Sequence, residues 1–185
     1  MDYLPICNET GKPQGGHRFV LEQPGEKMLL VVGLNPSNAD ETHPDLTMHK
    51  VMGFAEGGGY DGFAMLNLSS ERATDKWSLS ATLDEPMHRK NLDVAADLLQ
   101  RYPTADILEM CIRDSILVAF GNDISAKPYL KRCFRDLYDV LRTSRGQWFQ
   151  IGKLTVKGNP RHPLYARYDW GLVPFKVKKY MTKLK

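Results

Sequence analysis

Short apolar runs that alternate with amphipathic segments are the feature of this 185-residue sequence that most restricts its fold. Runs rich in large apolar residues predict four strands, at 28–32, 63–66, 116–120 and 154–156. Residues 85–102 and 127–142 carry apolar side chains at helical spacing and predict two helices. Strands that alternate with helices favour a parallel sheet covered on both faces. We therefore expect an α/β fold, a three-layer sandwich around a central parallel four-stranded sheet.

The length and the 42% hydrophobic content are those of one ordinary globular domain spanning residues 1–185. Within it we distinguish an N-terminal extension at 1–26 and a basic tail at 176–185. No apolar run approaches the roughly 18 residues that span a bilayer, and the N-terminus lacks the pattern of a signal peptide. We expect a cytoplasmic monomer that does not engage a membrane.

One segment looks foreign to the rest of the sequence. Residues 108–116, "LEMCIRDSI", lie between two Ile-Leu dipeptides, and their removal leaves the simple strand entry "TADILVAFGND". The letters "EMCIRDS" also resemble a translated sequencing adapter. We interpret 108–116 as an artefactual insertion and assign no role to Cys111.

Charge is distributed unevenly along the chain. Residues 1–100 contain 8 Lys/Arg and 15 Asp/Glu, whereas residues 101–185 contain 17 and 7. The basic half is suited to contact phosphates, although a solvated basic helix and tail is an equally simple interpretation of the charge alone. The last ten residues, "KVKKYMTKLK", hold five lysines.

The residue pattern argues against several common chemistries. Cys7, Cys111 and Cys133 are odd in number and lack CxxC spacing, and the five histidines are scattered, so we expect neither disulfides nor a zinc or iron–sulfur site. The sequence contains no GxxxxGK[ST] or GxSxG motif, and no GxGxxG follows a predicted strand. We therefore expect no metal and no cofactor.

A polar segment follows each predicted strand. These segments are "GLNPSNAD" (33–40), "NLSSERATD" (67–75), "GNDISAKP" (121–128) and "KGNPRHPLY" (157–165), called here the first to fourth corners. Each corner alone is explained as a turn or a helix cap. Ligands bind at the carboxyl ends of strands in open α/β sheets, so four such corners at one edge predict a site.

The order of these motifs resembles the uracil-DNA glycosylase superfamily. The resemblance rests on "VVGLNPSN", "GFAMLNLSSERAT", "LVAFGNDISAK" and "NPRHPLYARYDWG", and it spans about residues 28–171. More closely, "LNPSNAD", "RATD" and "RHPLY" resemble a family of bacterial and phage domains whose activity the resemblance does not supply. The superfamily resemblance implies DNA, rather than RNA, as the partner and cleavage of an N-glycosidic bond as the reaction.

The resemblance also implies roles for individual residues. Asn35 falls where the superfamily positions the attacking water, and Asn67 where it pairs with the edge of an extruded base. His162 falls where a histidine stabilises negative charge on the departing base. Further substrate contacts are implied for Gly33, Pro36, Ser37, Gly121, Arg161 and Leu164, of which Leu164 corresponds to an apolar wedge in the duplex.

The sequence departs from the superfamily pattern at several of these positions. Asn35 is an amide and cannot act as a general base, and Asp40 is the nearest alternative acid. Ser37 and Asn38 stand where strictly uracil-specific enzymes have a bulky aromatic, which leaves the target base open. Two other interpretations follow: a nucleic-acid or nucleotide-binding module without catalysis, or a structural domain whose corners are only turns.

Overall fold

The computed structural model describes residues 3, 6–10, 15–102, 115–144 and 146–184. Its strands form one sheet in the order β1-β2-β4-β3-β5-β6-β7. They are β1 (Ile6–Thr10), β2 (His17–Gln23), β3 (Met28–Gly33), β4 (Gly62–Asn67), β5 (Ser115–Val118), β6 (Gln147–Ile151) and β7 (Leu172–Pro174).

The sheet is mixed. Strand β3 pairs in parallel with β4 and β5, and β5 pairs in parallel with β6. Strands β1, β2 and β7 join antiparallel. The prediction of a four-stranded parallel sheet is therefore wrong, although the α/β class is confirmed. The added strands escaped prediction because β2 includes the charged but buried Arg18 and Glu22, and β7 has only three residues.

Three of the predicted strands coincide with β3, β4 and β5, but the one at 154–156 is wrong. Leu154 and Val156 are exposed, and Thr155 lies in a turn closed by the hydrogen bond from Gly158 N to Thr155 O. The strand lies just before this turn, as β6, where two glutamines weaken the apolar pattern. Gly158 has a φ of 79°, a conformation that favours glycine and bends the chain.

The helices are α1 (Leu46–Gly57), α2 (Glu85–Arg101), α3 (Leu130–Leu141) and α4 (Val177–Lys183). Helices α2 and α3 confirm the two predicted helices. Helix α1 was not predicted, because its apolar face is weak and glycines interrupt it. The side chains of Asp45 and Asp84 cap α1 and α2 by accepting from Met48 N and Met87 N.

Helices cover both faces of the sheet. Side chains alternate along a strand, so Leu30 and Val32 of β3 pack with α2, α3 and α4, whereas Leu29 and Val31 pack with α1 on the opposite face. In the described part of the chain, no helix combines the length and the apolar character needed to cross a membrane.

The segments that the sequence set apart take part in this fold. The N-terminal extension supplies β1 and β2, and the basic tail supplies α4, whose Tyr180 is buried. Of the suspected insertion, residues 108–114 with Cys111 lie outside the described residues. Its last two residues, Ser115 and Ile116, begin β5 and are fully buried.

Candidate functional site

The first two corners are joined by a continuous set of backbone hydrogen bonds beyond the strand ends. Leu68 N donates to Gly33 O at 3.0 Å, Ser69 N to Leu34 O at 2.9 Å, and Ala73 N to Pro36 O at 2.9 Å. The pairing of β3 with β4 thus continues into the loops. The two corners form one preorganised unit at the carboxyl edge of the sheet.

Side chains join the remaining corners to this unit. Lys76, just after the second corner, pairs with Asp123 of the third at 2.8 Å. Asn122 Oδ1 accepts from Asn159 Nδ2 of the fourth corner at 3.2 Å, and from Thr155 Oγ1 at 2.7 Å. All four corners therefore meet at one edge of the sheet, as the sequence predicts.

Asn67, the last residue of β4, has the most unusual environment in this region. Its side chain is 1% exposed, yet neither Nδ2 nor Oδ1 has a hydrogen-bond partner among the described residues. Gly33 lies opposite Asn67 in the parallel register. A Cβ on Gly33 would lie 2.7 Å from Asn67 Oδ1, so the glycine provides the space that the amide occupies.

Asn91 of α2 holds the end of β4 in place. Its Nδ2 donates to the backbone oxygen of Asn67 at 2.9 Å, and Asn91 is 2% exposed. Sequence reasoning missed this residue because it treated α2 as a covering helix. A buried polar residue on an otherwise apolar helix face was the available signal.

His162 lies at the other side of the same edge. It caps a short 3₁₀ turn, and its Nδ1 accepts from Leu164 N at 3.3 Å. Burial lowers the pKa of His162 below its ordinary value, against the opposing effect of Asp123 and Asp45. The ring is therefore neutral at pH 7 with its proton on Nε2, which makes Nε2 a hydrogen-bond donor.

Gly121 provides the space beside His162. Its φ is 72°, a conformation that side chains disfavour, and a Cβ there would lie 3.0 Å from His162 Cβ. Gly121 follows β5 by three residues and His162 belongs to the fourth corner, so the two residues bring the third and fourth corners into contact.

Asn35 has its amide nitrogen fully engaged. Nδ2 donates to Ala73 O at 2.7 Å and to Pro36 O at 2.9 Å, which ties the first corner to the second. Pro36 is buried, whereas Ser37 is half-buried in the same loop. These two bonds hold the first and second corners together through Asn35 Nδ2.

Asp40 is occupied within its own turn. Its Oδ1 accepts from Thr42 N and Oγ1 and from His43 N, bonds that lower the pKa of this carboxyl to about 2. A carboxylate with so low a pKa is a weak general base. Asp40 is therefore a poor substitute for the missing acid at Asn35.

Two further residues predicted to contact the substrate, Arg161 and Leu164, lie in the fourth corner. Arg161 Nε donates to Lys153 O at 2.8 Å, and its guanidinium stacks 4.6 Å from the centre of the Trp170 ring. Leu164 is half-buried. The side chain that projects from this loop is instead Tyr165, which is 82% exposed.

Arg18 and Arg72 form a buried pair that sequence reasoning did not assign. Both guanidinium groups donate to Ala39 O in the first corner, and Arg72 also pairs with Glu9 of β1. Their side chains are nearly inaccessible, and burial lowers the pKa of Arg18, with Arg72 adding to this shift. The two arginines fix the loop that carries Asn35.

A family model matches residues 18–164, from the second residue of β2 to Leu164 of the fourth corner. The chain belongs to the DUF1643 family. The family is described as protein of unknown function, and the match includes every candidate residue named above. No curated protein and no solved structure matches the DUF1643 chain. Helix α4 lies outside the matched segment.

Three large exposed side chains lie within or close to the corners in the sequence of the DUF1643 chain. Leu46 at the start of α1 is 72% exposed, Trp77 after the second corner is 64% exposed, and Tyr165 at the end of the fourth corner is 82% exposed. Exposed aromatic groups beside a polar site are suited to stack on rings of a ligand.

The described residues also include one group with ligand atoms close enough to hold a metal ion. Cys7 Sγ and carboxylate oxygens of Glu9 and Glu41 lie within 4.8 Å of one another. Burial raises the pKa of the Cys7 thiol to about 12, with Glu9 adding to the effect, and Glu9 already pairs with Arg72. A protonated thiol and a paired carboxylate make this a weak metal site.

Proposed function

We propose that this DUF1643 protein is a nucleobase-directed N-glycosidase that acts on DNA, with the base held between Asn67 and His162. The observation that carries the proposal is the Asn67 amide, which is buried at a strand end without a partner among the described residues. Leaving such a group unpaired costs about 1–3 kcal/mol. A ligand that supplies the missing bonds offsets this cost.

The amide matches the edge of uracil. Its Nδ2 donates to O4 of the base, and its Oδ1 accepts from N3–H. Cytosine presents the opposite pattern at both positions, and a fixed Asn67 would leave two groups unpaired with it. The adjacent Gly33 has no side chain that would displace the amide from this position.

The neutral imidazole of His162 suits the departing base. Cleavage of an N-glycosidic bond leaves negative charge on the base, and an aligned N–H donor stabilises that charge without a metal ion. The Nε2–H of His162 is such a donor, because Nδ1 is occupied by Leu164 N. Low-dielectric surroundings strengthen this interaction.

We also propose that the architecture is a three-layer sandwich like that of the uracil-DNA glycosylases. Four adjacent strands, β4, β3, β5 and β6, pair in parallel and carry the corners, and helices lie on both faces. The antiparallel strands β1, β2 and β7 extend this unit at its edges. These features support the proposal without depending on any one motif.

Substrate access requires a movement on the face of the sheet that carries α1. Asn67 shares this face with Met65, and the fourth corner packs against α1 through the hydrogen bond from Lys50 Nζ to Ala166 O at 2.9 Å. The 1% exposure of Asn67 means that a base reaches it only when these segments separate. In this proposal the exposed Tyr165 moves with the fourth corner when it separates from α1.

A second candidate function is nucleobase binding without cleavage. The observation that favours it is the engagement of Asn35 Nδ2 with Ala73 O and Pro36 O, together with the inability of an amide to take a proton from water. This candidate keeps the roles of Asn67 and His162 as ligand contacts. It differs from the first only in the absence of turnover.

The deciding experiment incubates the protein with oligonucleotides that contain uracil, hypoxanthine, xanthine or a mismatch. Base removal is measured as strand cleavage after alkali, and binding as a shift in electrophoretic mobility. The glycosidase proposal predicts alkali-labile sites at uracil. Binding of the same oligonucleotides without cleavage supports the second candidate, and no binding of any of them contradicts both.

Substitution at Asn67 tests the assignment of roles. Asn67→Asp should weaken uracil excision and add activity toward cytosine, because Asp accepts from the exocyclic amine. Asn35→Ala should lower turnover on every base. The control for Asn67→Asp is Gln100→Glu, which makes the same amide-to-acid change on the exposed surface of α2. Equal losses on all bases from Asn67→Asp and Asn35→Ala would contradict the assignment.

A further inference from the structure

A second concave site lies beside the corners, between the third corner, β6, β7 and α4. It is a cavity of about 640 Å³, a volume in the range of small-molecule sites. Five lysines line it: Lys131, Lys157, Lys176, Lys179 and Lys183. Of the described residues, neither Asp nor Glu lines it. The site is distinct from the position of Asn67 and His162, which do not line it.

Three lysines at α4 line the cavity from one side of the helix. Lys176, which precedes the first helical residue, and Lys179 and Lys183 within α4 are spaced three and four residues apart. Lys178 lies on the same helix but does not line the cavity. The lysines that line the cavity therefore lie on one side of α4, whereas the lysines of a solvated tail would point in all directions.

Three of the cavity lysines have no carboxylate partner in the described part of the chain: Lys157, Lys179 and Lys183. Some cations elsewhere are paired, as Arg101 is with Glu22 and Arg132 with Glu85. Like charges that converge on one cavity repel each other and are stabilised by a bound anion.

The floor of the cavity is apolar and rigid. Phe175 and Tyr180 are both nearly buried, with ring centres 5.4 Å apart, and Tyr180 OH donates to Asn159 Oδ1 at 2.7 Å. Leu154, which is 39% exposed, adds an apolar wall. The amides of Asn122 and Gln150 supply polar groups at the margin.

We propose that this cavity binds a small ligand of the nucleotide class that carries two or more phosphates. The lysines contact the phosphates, as ammonium groups do at many phosphate sites, and the apolar floor accommodates the base. Three of the lysines, Lys176, Lys179 and Lys183, lie at or within α4, outside the segment that the family model matches. The proposal does not depend on the proposed glycosidase activity.

Titration calorimetry of the full chain tests the proposal with four probes: inorganic triphosphate, ATP, adenosine, and a single-stranded oligonucleotide. We expect ATP to bind most tightly, inorganic triphosphate more weakly because it lacks the base, and adenosine not measurably. Absence of ATP binding at low ionic strength would overturn the proposal. Tighter binding of the oligonucleotide than of ATP, dependent on the same lysines, would overturn it in favour of a nucleic-acid strand.

A matched pair of variants on α4 separates a specific site from diffuse charge attraction. Lys179→Glu should weaken ATP binding by at least about tenfold, the loss expected when one charge-assisted contact is removed. Lys178→Glu makes the same change of charge one residue away and should leave binding nearly unchanged. Equal losses from the two variants would overturn the proposal. Asn67→Asp should leave ATP binding intact, so failure of the glycosidase proposal is distinguishable from failure of this one.

Discussion

Gly33 and Asn67 lie opposite each other at the ends of two parallel strands, and the absence of a Cβ on Gly33 leaves the space that the Asn67 amide fills. This relationship joins two candidate residues from different parts of the sequence. It also explains why the glycine is needed: a methyl group there would contact the amide oxygen at 2.7 Å and would lie closer still to Met65 Cε.

Gly33→Ala is therefore expected to displace Asn67 and to destabilise the fold. Overpacking of a close-packed site costs about 1–3 kcal/mol in unfolding free energy. Urea denaturation measures this cost. The control is Gly57→Ala at the end of α1, where a Cβ meets no atom within 4 Å, and which should not destabilise the protein. Equal stability of Gly33→Ala and the wild type would contradict the proposed packing.

Asn67→Leu is expected to stabilise the protein while it abolishes base binding. The substitution removes two buried polar atoms that lack partners among the described residues, each of which costs about 1–3 kcal/mol when unpaired. Asn91→Leu should instead destabilise the protein, because it removes the bond to Asn67 O. Urea denaturation of the two variants should give changes of opposite sign. Similar destabilisation by both would show that the Asn67 amide has partners in the folded protein.

Arg72→Ala is expected to lower the unfolding free energy by about 1.5–3 kcal/mol, because it removes hydrogen bonds that a buried charged group makes. Arg72 is nearly inaccessible and contacts both Glu9 and Ala39 O. Arg167→Ala is the matched control, since Arg167 also pairs with a carboxylate, Asp169, but at the surface. We expect little change from the control. Comparable effects of the two substitutions would contradict a special role for the buried arginine.

The stability of the protein should decrease below about pH 6.5 because of His162. Burial lowers the pKa of His162 in the folded state, so on acidification the unfolded chain takes up a proton first. The histidine's contribution is fully present above its unfolded pKa and is lost as the pH falls, at up to about 1.4 kcal/mol per pH unit.

Urea denaturation at neutral and mildly acidic pH measures this effect. His162→Asn retains a side chain that can cap the 3₁₀ turn, and it should flatten the pH dependence. His43→Asn, at an exposed histidine, should leave the dependence as it is. An unchanged pH profile in His162→Asn would exclude His162 as its source.

Tyr165→Ser is expected to weaken oligonucleotide binding without affecting stability. The ring is 82% exposed and lies 6.3 Å from the His162 ring, where it is available to stack on a base. Stacking contributes about 1–3 kcal/mol per base. Tyr168→Ser should lower stability, because Tyr168 packs against Phe54 and under Lys50. Unchanged oligonucleotide affinity in Tyr165→Ser would remove this residue from the site.

Sequence patterns located the central strands and the corners because their signals are local. The apolar run at 28–32 and the buried β3 coincide, and Asn67 stands at a strand end in both descriptions. Parallel pairing then brings the corners to one edge. This much of the site follows from periodicity and topology.

The remaining features depend on contacts between distant residues. From the sequence alone, Arg18 is expected to be an exposed charge, and its contact with Ala39 O explains why it is buried instead. Val156 is predicted as part of a strand, but the turn at Gly158 leaves it exposed. The pKa of His162 and the lack of partners for Asn67 likewise arise from tertiary packing, which one sequence does not report.

The strand order also has a consequence for synthesis. Strand β3 pairs on one edge with β4, the next strand in the sequence. Its other edge pairs with β5, which is synthesised only after the whole of α2. During translation the apolar β3 therefore keeps one side open to other chains until residues 115–118 emerge. Helix α4, which covers the same face as α2 and α3, is made later still. Such late, non-local contacts slow folding and lengthen the time during which this strand edge is exposed to other chains.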